Sequence, residues 1–269
     1  VATRVRITGL DARTVKSDIE LEWDGRVVVR IIGWVDRRFD SDEGLWLMLR
    51  LPEDHLLASP MPGGVLYVDE RWKDSASREL LARRYFHASE LAAYEAMNPR
   101  RQRSFLLGRI AAKDAVRKAC WDAGHGDMFP AELTVGNEPS GRPFVSGSGT
   151  EGLHVSLAHC QWVGVALVGT RPDLGVDVER IEPRSEQASG SFVTDAERAL
   201  LPVNDDEWLT RAWSAKEAAA KAAGTGLGGR PKDFVINAVD GERLLVGDRW
   251  VSTVSMRKEH VVAWTDPNP

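Results

Sequence analysis

Two short stretches about thirty residues apart constrain this chain more than any other part of it: Leu174-Gly175-Val176-Asp177-Val178-Glu179-Arg180 and Trp213-Ser214-Ala215-Lys216-Glu217-Ala218-Ala219-Ala220-Lys221. In the first, apolar and acidic residues alternate with the period of a half-buried strand. Val176 and Val178 then face the interior, and Asp177 and Glu179 share the other face, roughly 6–7 Å apart. Two carboxylates so placed repel each other unless something positive sits between them. In the second stretch Glu217 and Lys221 are four residues apart, so on a helix they stack on one side. Three hard oxygen ligands with no nearby His or Cys suit magnesium, which keeps coordination positions open for water or phosphate oxygens. Taken singly, each stretch also reads blandly: a pair of solvated strand carboxylates, and an ordinary i,i+4 ion pair worth roughly 0.2–0.5 kcal/mol.

A chain of 269 residues holds one large domain or two small ones, and its 28% charged and 43% hydrophobic residues are ordinary for a soluble globular protein. A net charge of -5 argues against a general nucleic-acid binder. Two cysteines, Cys120 and Cys160, imply no disulfide framework and make a reducing cytoplasm the expected compartment. The sequence shows no signal peptide, and no apolar run approaches the roughly 20 residues that span a bilayer. It begins with Val1 in place of Met, which fits a processed protein or a piece of something larger.

The first sixty residues alternate: Arg4 to Thr8, Asp18 to Trp23 and Arg26 to Trp34 read as strands, with Asp24-Gly25 as a hairpin turn. Leu51 to Gly64 is rich in breakers and reads as a linker. A strand at Val65 to Val68 opens the next unit, and helices follow over Ser75–His87, Glu90–Met97 with Ser89 as N-cap, and Arg101–Trp121. Basic residues crowd this region, among them Arg83, Arg84, Arg103, Arg109, Lys113 and Arg117. They form either a solvated helix face or a hold on phosphate oxygens, which guanidinium groups grip bidentately. Beyond the acidic strand, Thr194 with Glu197 forms a capping box, and a helix runs from about Asp206 to Ala223. The run Gly224 to Gly229 ends that helix; it lacks the lysine and the strand–helix order of a P-loop and reads as a turn. Four further strands complete the chain. The expected fold class is α+β.

The sequence LGVDVER followed by WSAKEAAAK resembles the paired signature of the 4'-phosphopantetheinyl transferases of the surfactin-synthetase-activating type, which prime peptide and polyketide synthases. The resemblance implies two similar α/β subdomains related by pseudo-twofold symmetry, here 65–172 and 173–269, with an extra N-terminal β segment and linker over 1–64. It implies Coenzyme A as substrate, Mg2+ held by Asp177, Glu179 and Glu217, and transfer of phosphopantetheine to a serine of an acyl carrier protein. Glu217 is the expected acceptor of the serine proton, and Lys221 stabilises or protonates the departing phosphate. Lys216 is expected to support the nucleotide or to sit on the surface.

Three further matches extend the resemblance. Arg103 begins an R-x-x-L-L-G pattern whose arginine holds the nucleotide in the family, with Arg83, Arg84 and Arg109 as weaker candidates. Arg142 stands for the lysine of the family's G-x-x-G-K-P loop, and His159 for the histidine of its S-H-S turn, although Ala158 and Cys160 replace the hydroxyl residues. In relatives the region from Pro183 to Leu201 helps to grip the carrier. Gly33 to Phe39 is similar to the last strands of a hot-dog dehydratase domain, which fits a chain cut from the C-terminal end of a polyketide synthase. A monomer is expected. The competing reading is a non-catalytic docking module for a carrier domain; a phosphotransferase using ATP has no P-loop or kinase signature to support it.

Overall fold

A computed structural model describes residues 1–37, 42–72 and 74–266. Strands β1 (Ala2–Leu10), β2 (Thr14–Trp23) and β3 (Arg26–Arg37) form an antiparallel meander. Asp24 and Gly25 both adopt positive φ at the predicted hairpin turn, the conformation that lets a two-residue loop match the strand twist. Register places Val5 opposite Ile19 and Ile19 opposite Ile31 on one face, and Arg4, Glu20 and Arg30 on the other, where both arginines pair with Glu20. The apolar face stays largely open, with Val5, Ile7, Val29 and Trp34 all exposed. Arg38 and Phe39, the end of the stretch that resembles a hot-dog strand, lie outside the described residues.

The breaker-rich stretch read as a linker is packed into the body of the protein instead. Helix α1 (Glu43–Arg50), absent from the sequence reading, is capped by Asp42 and buries Leu45 and Met48 completely. Leu57 and Ala58 are buried too, and both their backbone N–H groups donate to Asp114 Oδ2, at 2.8 and 2.9 Å. These apolar residues are spaced among prolines and glycines, so neither the helical nor the strand period shows.

Strands β4 (Ser59–Pro60) and β5 (Leu66–Asp69) lead into helices α2 (Ser75–Tyr85), α3 (Ala88–Glu95) and α4 (Pro99–Asp122). One predicted cap moves. Asp74 caps α2, and α3 starts one residue before Ser89, because His87 accepts from Ser89 N and forms a capping box with Glu90. Asn98-Pro99, just past the predicted end of that helix at Met97, opens α4: Asn98 Oδ1 accepts from Arg101 N and proline takes the N1 position that needs no N–H. A small hairpin of β6 (Thr134–Asn137) and β7 (Pro143–Ser146) precedes β8 (His154–Cys160) and β9 (Val163–Gly169). The first sheet has the order β4-β5-β9-β8, with α4 lying across it.

The second half repeats this plan of a long helix over an antiparallel sheet. After β10 (Val176–Arg180) come α5 (Glu186–Gly190), α6 (Asp195–Arg198) and α7 (Asp206–Ala222), then β11 (Ile236–Asp240), β12 (Arg243–Val246), β13 (Arg249–Met256) and β14 (His260–Thr265). The sheet order is β10-β14-β13-β12-β11, and α7 packs on β14, β10 and β13. β10 also borders the first half, where Ser156 Oγ accepts from Val176 N at 3.0 Å. A shared apolar core joins the halves, with Val65, Val165 and Leu167 of the first against Val176, Val178, Val262 and Trp264 of the second.

Lys113 and Arg117, read among solvated basic residues, are wholly buried. Burial lowers the Lys113 ammonium to about 8 and raises Asp114 to about 6, against the favourable charges of Glu90 and Arg117 respectively. Lys113 pairs with Glu90, and Arg117 binds Asp114 and the carbonyls of Pro52, His55 and Met128. These charges are retained inside because each has several partners; removing one partner would strand the others.

Both long helices approach their sheets where a strand offers glycine. A Cβ on Gly164 would lie 2.5 Å from Leu107 O, and one on Gly175 only 1.8 Å from Ala218 O. Gly175→Ala therefore pushes α7 off β10, and we expect a loss of about 1–3 kcal/mol in urea unfolding, the usual range for overpacking. An unchanged midpoint would contradict this close approach.

Candidate active site

One face of α7 reads onto one face of β10. Trp213, Glu217 and Lys221 follow one another at four-residue spacing and so project from the same side of the helix. Lys221 Nζ donates to Val176 O at 3.0 Å and to Asp177 Oδ1 at 2.8 Å. Trp213 Nε1 donates to Glu179 Oε1 at 3.0 Å. Glu217 lies between these two contacts. Its pKa is raised first by partial burial, then by the charge of Asp177, with Glu179 adding to it and Lys221 opposing. Glu179 is raised for the same leading reasons, burial and then Asp177, while Trp213 and Arg184 pull it back. The three predicted carboxylates therefore share one neighbourhood.

Asp177 is 5% exposed and its Oδ2 is buried with no hydrogen-bond partner. An unpaired oxygen of this kind is costly unless a proton or cation meets it. Three carboxylates against one ammonium leave an excess of negative charge that a divalent cation would neutralise, and oxygen-only donors suit a hard ion. The donor set thus fits such a cation. Among the described residues, however, no group of three or more His, Cys, Asp or Glu side chains is already gathered as a cation cage. Lys221 lies against Asp177 Oδ1 in its stead.

Cationic groups flank the acidic face. A cavity of about 330 Å³ is lined by Arg142, His154, Ser156, Lys221, Gly224 and Thr225. Arg142 reaches the C-terminal end of α7, its Nη2 donating to Ala222 O at 3.5 Å. The glycine run is a turn, as read, and it forms part of the cavity wall. A second cavity, about 820 Å³, is lined by Arg100, Arg103, His159, Trp162 and Arg180. Arg103 lies over the Trp162 ring at 5.0 Å and its Nε is 3.7 Å from Glu70 Oε1. His159 is open to solvent on β8, yet its pKa is lowered, first by the protein mass around it and then by Lys221 and Arg109. It is therefore neutral at pH 7 and able to accept one hydrogen bond and donate another.

The remaining candidates lie elsewhere. Arg109 is largely buried, with Nε 3.2 Å from Glu90 Oε1 and its guanidinium over the Phe105 ring at 4.3 Å, so it reaches His159 by its field. Arg84 is exposed on α2 and lines neither cavity. Lys216 is neither a nucleotide contact nor a surface residue: it is wholly buried, pairs with Glu197 at 2.7 Å and donates to Phe192 O at 2.7 Å. Its neighbour in sequence, Glu217, faces the cleft, and a single residue step turns the side chain about 100° round the helix. Sequence reasoning missed Arg100 and Arg180 as cavity residues, although Arg180 directly follows the acidic strand pair. It also gave Trp213 no role.

Comparison with known proteins bears on this geometry. The family model of the 4'-phosphopantetheinyl transferase superfamily matches residues 173–264, the half that contains all three carboxylates and Lys221. The chain is 35% identical over 81 residues to a holo-[acyl-carrier-protein] synthase of Enterococcus faecalis, which covers 30% of this chain and 68% of that protein. It is 33% identical over 88 residues to the synthase of the same name from Exiguobacterium sibiricum, covering 33% and 69%. A longer match, 28% identical over 136 residues, joins 48% of the chain to 55% of the 4'-phosphopantetheinyl transferase HetI of Nostoc.

The raised pKa of Glu217 has a measurable sign. The folded state binds its proton more tightly than the unfolded chain does, so this residue's contribution to stability is lost as pH rises through the raised value. In metal-free buffer, Glu217→Gln is expected to raise the thermal midpoint above wild type at pH 8. The difference should close on acidification into the ordinary glutamate range. A variant less stable than wild type at pH 8 would mean that Glu217 does not face its like charges.

Proposed function

The chain belongs to the 4'-phosphopantetheinyl transferase superfamily, and from that membership we propose that it transfers the phosphopantetheine group of Coenzyme A to a serine of an acyl carrier protein. The convergence of Asp177, Glu179 and Glu217 with Lys221, which itself lines a cavity together with Arg142, supports this reading best. In the reaction the serine oxygen forms a bond to the phosphorus that bears pantetheine, and the bridging bond of the diphosphate breaks. The products are holo-carrier and 3',5'-adenosine bisphosphate. The nucleophile comes from the partner, so this chain needs none of its own.

Asp177, Glu179 and Glu217 would hold Mg2+, which when bound offsets charge developing on the diphosphate. A serine hydroxyl is a poor nucleophile at neutral pH, and Glu217 is the carboxylate that takes its proton. Lys221 stands beside Asp177 and stabilises the departing phosphate, or hands it a proton. Arg103, Arg142 and His159 bind the nucleotide's phosphates, and Arg109 strengthens the positive field behind His159. Arg84, remote from both cavities, is left out of this set.

The finer assignments follow from the sequence resemblance. The enzyme is of the surfactin-synthetase-activating type, and its two helix-over-sheet halves are related by a pseudo-twofold. Its acceptor is a carrier domain of a polyketide synthase, gripped near α5 and α6. A monomer suffices, because both walls of the cleft come from one chain. Cys120 and Cys160, both free, fit a cytoplasmic location.

Incubation of apo-carrier with Coenzyme A, Mg2+ and the full chain should add one phosphopantetheine group to the carrier by mass spectrometry. Asp177→Ala is expected to lower that rate at least about 100-fold, the scale of losing one transition-state electrostatic contact, with the fold retained. Carrier binding without any mass gain would replace the transferase with a docking module. Undiminished transfer by Asp177→Ala would overturn the site.

A further inference from the structure

Trp213 is part of the helix signature, yet the reaction above gives it nothing to do. Its indole N–H donates to Glu179 Oε1 at 3.0 Å. The ring is itself fixed from behind. Phe192, 2% exposed, packs edge-on against it with centroids 5.1 Å apart and planes at 73°. The Arg184 guanidinium covers the Phe192 ring at 5.4 Å. The Phe192 backbone is anchored in turn: its carbonyl accepts from Lys216 Nζ at 2.7 Å, and Lys216 pairs with Glu197, which also accepts from Ile236 N at 2.8 Å.

This run of contacts ends on a carboxylate that has a choice of orientation. Glu179 is partly exposed at the end of β10, and its strand neighbour Asp177 repels it. Without a donor on one oxygen, that repulsion would turn the Glu179 side chain outward. With Oε1 engaged by a rigid indole, Oε2 is left for another partner.

We propose that Trp213 is a positioning residue that aims Glu179 at a divalent cation shared with Asp177 and Glu217, and that the buried Lys216–Glu197 pair holds Trp213 in place through Phe192. The inference rests on the carboxylates being cation ligands, as proposed above. It makes the signature tryptophan a holder of one oxygen by its N–H, with its apolar bulk serving only to seat the ring.

Trp213→Phe keeps a ring against Phe192 and removes the N–H. The full chain is titrated with Mg2+ while the thermal midpoint is followed, with no substrate present. Relative to wild type, the variant should need about 10–100-fold more Mg2+ for the same shift, the range found when a ligand's supporting hydrogen bond is lost. The metal-free midpoint and the KM for Coenzyme A should stay near wild type. In a second arm, Glu179→Gln and the double variant are titrated: if Trp213 acts through Glu179, removing the N–H should add little once Glu179 is gone. A third arm needs no variant at Trp213 other than for assignment: its indole proton resonance in the intact protein should move on Mg2+ addition. An unchanged Mg2+ dependence in Trp213→Phe, additive losses in the double variant, or a stationary indole resonance overturns the positioning role alone. A wild-type protein that responds to Mg2+ in neither midpoint nor transfer overturns the cation assignment itself, and this role with it.

Discussion

The seating of α7 on β10 is the contact on which the cleft depends. Gly175 lets the helix backbone come within reach of the strand, so close that Ala218 O occupies the space of a side chain. Only at that distance can Lys221 bridge Val176 O and Asp177, and only then does Trp213 meet Glu179. The signature is thus a description of one packed interface: small residues where backbone meets backbone, and long polar ones at its edge. Alanines 215, 218, 219, 220 and 222 of α7 are buried, whereas Glu217 and Lys221 reach the rim.

Burial of charge follows a single pattern in both halves. Lys113 with Glu90 in the first and Lys216 with Glu197 in the second are wholly or almost wholly removed from water, each lysine also donating to a backbone carbonyl. Each carboxylate in turn accepts a backbone N–H from a strand, Val135 for Glu90 and Ile236 for Glu197. Such pairs add little net stability against an apolar substitute, but leaving one member alone is strongly unfavourable. They therefore fix which helix face meets which strand. The carboxylates facing one another across β10 and α7 invert this arrangement, with three negative groups and one ammonium, and an oxygen left without a donor.

The acidic pair and the helix that faces it were legible because strand and helix periods place Asp177, Glu179, Glu217 and Lys221 without any knowledge of what lies between. His159 and Arg142 were legible only through resemblance, since a single residue in a turn has no period. Lys113, Arg117 and Lys216 were misread as accessible because a count of charges is blind to partners, and those of Lys113 and Lys216, Glu90 and Glu197, are distant in sequence, as is the His55 carbonyl that Arg117 binds beside its near neighbour Asp114. Helix α1 was hidden for another reason: eight residues, ending where the breaker-rich stretch begins, carry too few turns to declare a stripe. Helices α3 and α4 begin earlier than read because His87 and Asn98, given no cap role in the sequence reading, supply the acceptors. Membership of the superfamily rests on the second half, and among the described residues no helix is long and apolar enough to cross a membrane.

The apolar core held in common by the two halves has a mechanical corollary. Val65, Val165 and Leu167 cannot part from Val176, Val262 and Trp264 without wetting them, and Ser156 would lose its grip on Val176 as well. A hinge is therefore not available at the seam, as it would be between domains joined by a bare tether. Arg103 and Arg142, long side chains that line the two cavities, can change rotamer without opening that core. Denaturant should meet the two halves as one cooperative body.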